Sequence, residues 1–508
     1  MFRISSFFKT KIWVKVIVIG VPLVVLGYSA WILLVAPRIW CGQDIRRVDG
    51  QCIGVTDGST HLSADLTDVL NKIQEENERV GQDNPDAVSV AYLVPLPKSS
   101  TSEELSAGPR LRHELQGAHI AQLQANHTKE LGDKPLIRLL IANSGNESGQ
   151  WQRVVPALLE KVHGPDRLVA VVATGNTVDA TLDAIGALRV GGLPVLLSRL
   201  AGDGMPTPEE LGDVRGGIAR LAPSGRDQGA AAAAYLKPIA NRALIVRDTN
   251  PDDPFVQALE ESFRNAFQGG AHAVLEPPET YDSRLEGVSN QMRGILRNIC
   301  LQKPEVVYFA GRNVALDAFV QALPLRPCPE LQIKIMASGG STADIAAKVN
   351  QGDSALIKGL NSNAWVRYTA QAHPDSWERS PEIFSEASTS HLRPTCEQYC
   401  FATVFRDGML ADGGAIIGYD AIVTSVTAIR PGDGTVINDK PELVTQAFRR
   451  LHGTGAVAGA TGWISLDQFG NPVNKAVVTL EVKPDGTLEF LELSSASGAP
   501  CVPDTPPC

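Results

Sequence analysis

The chain has 508 residues, 44 % of them hydrophobic and 20 % charged, enough apolar sequence for about three globular units. Asp and Glu outnumber Lys and Arg by 56 to 46, a net charge of −10; this argues against nucleic acid as a partner, because phosphate binding needs clustered cations. A mean hydropathy of −0.03 excludes a chain that crosses a membrane many times.

Residues 16–36 carry no charge, a run long enough at ~1.5 Å per residue to cross ~30 Å of hydrocarbon. Arg3, Lys9, Lys11 and Lys15 precede it and no acid occurs before Asp44. The positive-inside rule therefore predicts a cytoplasmic segment at 1–15, a membrane anchor at 16–36 and an extracytoplasmic remainder: a single-pass cell-membrane protein. A cleaved signal peptide is the rival reading, and it expects a shorter apolar core of about 7–15 residues. Eight cysteines agree with an oxidising compartment. Proximity along the chain pairs Cys41 with Cys52, Cys300 with Cys328, Cys396 with Cys400 and Cys501 with Cys508. Cys396 and Cys400 lack a second Cys/His pair at ligand spacing, so no metal is expected.

Residues 37–86 are predicted as a stalk followed by an amphipathic helix, in which Leu62, Leu66, Val69, Leu70 and Ile73 keep helical spacing. Short apolar runs then alternate with helical stretches. Strands fall at 88–94, 136–142, 168–173 and 193–197, with helices at 110–123, 151–162 and 178–190. The rhythm breaks at 215–223 and resumes with strands at 243–247, 271–275, 306–310 and 333–337 between helices at 230–236, 254–267, 292–300 and 314–323. Continuous apolar strands separated by helices make a parallel sheet covered on both faces, so two series predict two doubly wound lobes. Helices follow at 418–430 and 441–452, a hairpin at 476–482 and 488–493 across Pro484-Asp485-Gly486, and a Ser/Pro-rich tail at 494–508.

Ligands of open α/β sheets bind beyond the carboxyl ends of the strands. That rule singles out Asn143-Ser144-Gly145, Gly175-Asn176-Thr177 and Ser198-Arg199 in the first series. In the second it singles out Asp248-Thr249-Asn250, Gly311-Arg312-Asn313 and Ser338-Gly339-Gly340-Ser341. Asn176, Thr177, Ser198, Asp248, Asn250 and Ser338 are the candidate ligand-binding side chains; the plainer alternative is that such residues only cap helices. Enzyme signatures are missing: the chain has no GxxxxGK[ST], no GxSxG and no HExxH. His113, His119, His127 and His163 are expected on solvated helix faces or loops, and Asp252-Asp253 and Glu260-Glu261 as helix-start or solvated charges.

The order of segments from about 87 to 493 resembles the type I periplasmic-binding-protein family, its leucine/isoleucine/valine-binding branch. The resemblance is carried by residues 88–95 with His113-Glu114-Leu115-Gln116-Gly117-Ala118, by 173–181, and by Gly192-Leu193-Pro194-Val195 leading to Ser198. Residues 222–235, 247–253, 306–312 and 459–475, with Gly462-Trp463-Ile464-Ser465-Leu466-Asp467, continue it. It implies an α/β fold of two Rossmann-like lobes joined by three hinge strands and closing over a small polar ligand. Lobe one would hold 87–222 with 375–452 and lobe two 223–374 with 453–493, with crossings near 222–228, 360–375 and 453–460. Such proteins bind without chemistry or cofactor, usually for an ABC permease; a sensor of the same fold signalling to a partner and an extracytoplasmic enzyme are the alternatives. Gly339 stands where amino-acid binders of this family place an acid for the ligand's ammonium, Gly202 lies near the carboxylate site, and Asp252 roughly replaces an aromatic. Asp248 or Asp252 would then receive any cation.

Overall fold

A computed structural model describes residues 40–42, 44–98, 102–203, 217–251, 253–431 and 439–503. The expected anchor at 16–36 lies outside the described residues, as do Asp252 and Cys508. Among those described, no helix is long and apolar enough to cross a membrane.

The first sheet is built from β1 (Trp40–Gly42), β2 (Ile45–Val48), β3 (Gln51–Thr56), β4 (Val88–Val94), β5 (Ile137–Asn143), β6 (Leu168–Ala173), β7 (Val195–Leu197) and β8 (Ile218–Arg220), in the order β1-β2-β3-β5-β4-β6-β7-β8. From β5 to β8 all neighbours are parallel, whereas β3 runs antiparallel to β5. Helices α1 (Thr67–Asp83), α2 (Ser102–His127), α3 (Trp151–Glu160) and α4 (Asp179–Val190) fall between the strands. Every residue of β4 and β6 is buried, which explains why these strands read as continuous apolar runs rather than alternating ones.

The second sheet contains β9 (Arg242–Asp248), β10 (Ala273–Tyr281), β11 (Val306–Ala310), β12 (Ile333–Ser338), β13 (Ala364–Ala370), β14 (Val477–Val482) and β15 (Leu488–Ser494), in the order β10-β9-β11-β12-β13-β14-β15. The strands from β10 to β13 are parallel, and β14 and β15 close one edge antiparallel. Its helices are α5 (Gly225–Leu236), α6 (Pro254–Phe267), α7 (Val288–Gln302), α8 (Asn313–Ala322), α9 (Gly339–Asn350) and α10 (Ser354–Leu360). Local chemistry sets their starts. Ser224 and Asp227 form a reciprocal capping box on α5, and Asp253 caps α6 ahead of Pro254.

After β13 the chain returns to the first lobe, where α11 (Gly414–Ile429) and α12 (Pro441–Phe448) follow. All of α11 except Thr427 is buried, as expected of a helix that is apolar on every side. It crosses α2 with backbones nearly touching: a Cβ on Gly117 would meet Ala415 O, and one on Gly418 would meet Glu114 O, each at 1.8 Å. Only glycine permits that approach.

Three expectations are corrected. The stalk is not free-standing: β1–β3 extend the first sheet, Ile45, Cys52 and Ile53 are buried, and Cys41–Cys52 ties β1 to β3. The third crossing does not fall at 453–460. Val457, Ala460, Ile464, Leu466 and Ala476 belong to lobe one's core and Val478 to lobe two's, so the chain crosses at 476–478. Buried Asp420 holds that segment by accepting from the N–H groups of Ala460 and Thr461 and from Thr461 Oγ1. Lys475 Nζ donates to Thr461 O and Gly462 O. Finally, His113 and His119 are buried, not solvated; His113 bonds Asp412 and His119 bonds Gln122. Cys300–Cys328 and Cys396–Cys400 are joined as expected, and Cys501 is disulfide-bonded.

Candidate functional site

A cavity of about 550 Å³, open mouth included, lies between the lobes at the carboxyl ends of strands from both sheets. Lobe one lines it with Gly175, Asn176 and Thr177 after β6, with Arg199, Ala201 and Gly202 after β7, and with Arg110 on α2. Lobe two contributes Gln228 on α5, Phe255 on α6, Arg312 after β11, Gly339 after β12, and Ala370 and Gln371 after β13.

Backbone geometry shapes the lobe-one wall. Gly175 has φ +118°, and a Cβ there would collide with Pro95. The Gly202 N–H donates to Thr177 Oγ1 at 3.0 Å, and a Cβ on Gly202 would lie 2.6 Å from that oxygen. Gln371 Nε2 reaches across the lobes to Ser198 O at 3.3 Å.

Behind this wall sits Glu114, fully buried. Its carboxylate accepts from Tyr92 Oη and Ser198 Oγ at 2.6 Å each and from Thr174 Oγ1 at 2.9 Å, and Arg199 Nη1 lies 3.5 Å away. A buried carboxylate needs such partners to offset its desolvation. Burial, and then the charge on Glu114, push the Tyr92 phenol well above its ordinary pKa. On the facing lobe, Arg312 donates through Nε and Nη2 to the two oxygens of Asp253, at 2.7 and 2.9 Å, and lies 4.5 Å over the Phe255 ring. Ring and carboxylate together fix the guanidinium plane.

Of the predicted ligand side chains, Asn176 and Thr177 line the cavity. Ser198 is buried beneath it, with its hydroxyl turned to Glu114. Asp248 and Asn250 are not in the lining: Asp248 Oδ1 accepts from the N–H groups of Asn250 and Ser283, while Thr249 N–H bonds Tyr281 O, so the end of β10 folds over this loop. Ser338 is buried at the start of α9, one residue before Gly339. Asn143-Ser144-Gly145 is covered as well, since Asn143 Nδ2 donates to Cys52 O on the added β1–β3 ribbon. Arg110, Gln228, Phe255 and Gln371 were missed. They sit on helices or after a strand that sequence reading did not resolve; Arg199 and Arg312 fell within the loops singled out but were not chosen as ligand side chains.

No family model matches the chain, and no curated protein matches it. Solved structures do. A leucine-binding protein of Thermotoga maritima aligns over 80 % of this chain and 98 % of its own at 17 % identity and TM-score 0.53. A branched-chain amino acid transporter substrate-binding protein of Streptococcus pneumoniae, in complex with isoleucine, aligns over 80 % and 99 % at 14 % identity and TM-score 0.55. An ABC-transporter solute-binding protein of R. palustris, in complex with 4-hydroxybenzoate, aligns over 80 % and 96 % at 16 % identity and TM-score 0.52. The chain has the type I periplasmic-binding-protein fold. In that two-lobed fold the cavity lies in the cleft between the lobes, which the topology requires of a site at facing strand ends.

Proposed function

We propose that the chain is an extracytoplasmic solute-binding protein, anchored through 16–36, that closes its lobes over a small polar ligand for an ABC-type uptake system. The observation that carries this reading is the cleft itself: one cavity lined from both sheets, with Asn176, Thr177 and Arg199 facing Arg312, Gln228 and Gln371. Structural neighbours with bound isoleucine and 4-hydroxybenzoate support a ligand-binding role, and the disulfides suit an oxidising compartment. Binding needs no chemistry from the protein, and none of the cavity's described side chains forms a nucleophile–base pair. A thermal-shift screen of amino acids, hydroxybenzoates, other organic acids, amides, peptides and sugars tests it. A ligand at 100 times its Kd adds about 2.7 kcal/mol of stability, and its complex should scatter X-rays with a smaller radius of gyration than the free protein. If no class raises the melting temperature, the proposal fails. The anchor is tested separately: the full chain should sediment with membranes and a chain starting at residue 40 should not.

A further inference from the structure

We infer that the cleft takes a small organic acid that carries no ammonium group, its anionic end held between Arg199 of lobe one and Arg312 of lobe two. This rests on the solute-binding reading above. The described lining holds three arginines and no acid. Among the described residues, the carboxylates beside it face guanidiniums: Glu114 faces Arg199, Asp253 faces Arg312, and Asp203, whose buried Oδ2 accepts no hydrogen bond, lies 3.7 Å from Arg226. These acids sit behind or beside the wall, so the cations front the cavity.

The two arginines are set up differently, and both leave donors over. Arg312 spends Nε and Nη2 on Asp253 and is stacked on Phe255, which leaves the Nη1 edge of a fixed plane outside that pair. Arg199 approaches Glu114 only at 3.5 Å, while three hydroxyls satisfy that carboxylate. A planar fork with unused N–H groups matches a carboxylate. Asn176, Thr177, Gln228 and Gln371 add neutral polar groups, which suit hydroxyl or carbonyl substituents. An α-ammonium in the same space meets like charge and no described carboxylate, a loss of desolvation without return.

The test is calorimetry on the purified chain with three matched pairs that differ only by an ammonium: succinate and aspartate, glutarate and glutamate, butyrate and 2-aminobutyrate. At least one acid should bind, at least 10-fold tighter than its amino partner. Arg312→Gln and Arg199→Gln should each weaken that acid by about 10–150-fold, the range for losing a hydrogen bond to a charged group, while Asn361→Ala, on the exposed end of α10, leaves it unchanged. Equal or tighter binding of an amino partner overturns the inference and leaves the solute-binding reading standing. So does a screen in which only sugars, amides or zwitterions bind. If no acid binds, the inference falls; if the broad thermal-shift screen is also empty, the solute-binding reading falls with it. Full affinity in both arginine variants, with unchanged melting temperatures, overturns the site assignment.

Discussion

The two lobes share a topology but are held together differently. Lobe two packs stacked rings, Phe263 on Tyr308 at 3.8 Å and Tyr281 on Phe309 at 5.7 Å, carries a disulfide from α7 to the turn before β12, and buries charge at its edges in Asp248, Asp317 and Arg326. Lobe one buries charge more deeply: Glu114, Asp420 and Lys475 are at most 1 % exposed, and Arg430, His113 and His119 are buried with them. Arg430 ends α11 by donating to Ala125 O, Leu131 O, Gly132 O and Pro135 O, and burial lowers its pKa to about 10. The difference teaches where irregular chain is stored. Lobe two is mostly repeated strand and helix, whose backbone groups satisfy one another, and its irregular turn before β12 is held by Arg326, which donates to the carbonyls of Leu323, Cys328, Pro329 and Leu331. Lobe one must also fix 371–413 and 457–476, which carry little regular structure, and it does so with buried polar side chains that replace the missing ladder bonds.

The largest expected effect follows from that contrast. Asp420→Ala strips the partners from two backbone N–H groups and the Thr461 hydroxyl, and should cost about 3–5 kcal/mol in urea unfolding. Asp420→Asn, which keeps one acceptor, should cost less. A loss below about 1 kcal/mol in the alanine variant would show that lobe one does not depend on this network.

Lobe two should respond instead to its staple. Replacing Cys300 and Cys328 by serine opens a loop with a sequence separation of 28 and should cost about 3 kcal/mol in the chain-entropy model. Because the bridge lies at the amino-terminal edge of the second sheet, ligand affinity should survive; a large affinity loss with little change in melting would contradict the separation of staple and cleft.

Acid should weaken lobe one through His119. Burial lowers the His119 pKa from 6.5 to about 4. Between those values the unfolded chain takes up a proton that the folded one refuses, so stability falls as pH drops from 6.5 towards 4, by up to about 3 kcal/mol from this residue. His119→Gln should flatten that part of the pH–stability curve; an unchanged slope would mean that other groups carry it.

The smallest effect concerns Asp248. With its oxygen bound to two backbone N–H groups away from the cavity, Asp248→Ala should lose about 1–2 kcal/mol of stability and leave ligand affinity as it was. Reduced affinity at constant stability would restore Asp248 to the site.

The same contrast governs what sequence could reveal. Buried parallel strands such as β4, β6 and β11 announce themselves as apolar runs, and near-neighbour cysteines announced three bridges that the structure forms. The β1–β3 ribbon did not, because its strands are only three to six residues long and the middle one carries Arg46 and Arg47. Nor did the placement of 457–476: its apolar residues are scattered among glycines and turns, and only the distant Asp420 shows where they dock. In the site, strand-end loops were legible as a class, and two of the six candidate side chains line the cavity. Choosing among loops required knowing which are covered by later chain, as β10 covers Asp248 and the ribbon covers Asn143. Helix residues that face the cleft, such as Arg110 and Phe255, carry no sequence mark beyond ordinary helical periodicity.

The most direct test of the account is a crystal structure with the strongest ligand from the screen. It should show the ligand between the lobes, within hydrogen-bond distance of Arg199 or Arg312 and of Asn176 or Thr177, with the two sheets rotated toward each other relative to the free protein. Ligand bound outside this cleft, or bound within it with neither arginine in contact, would contradict it.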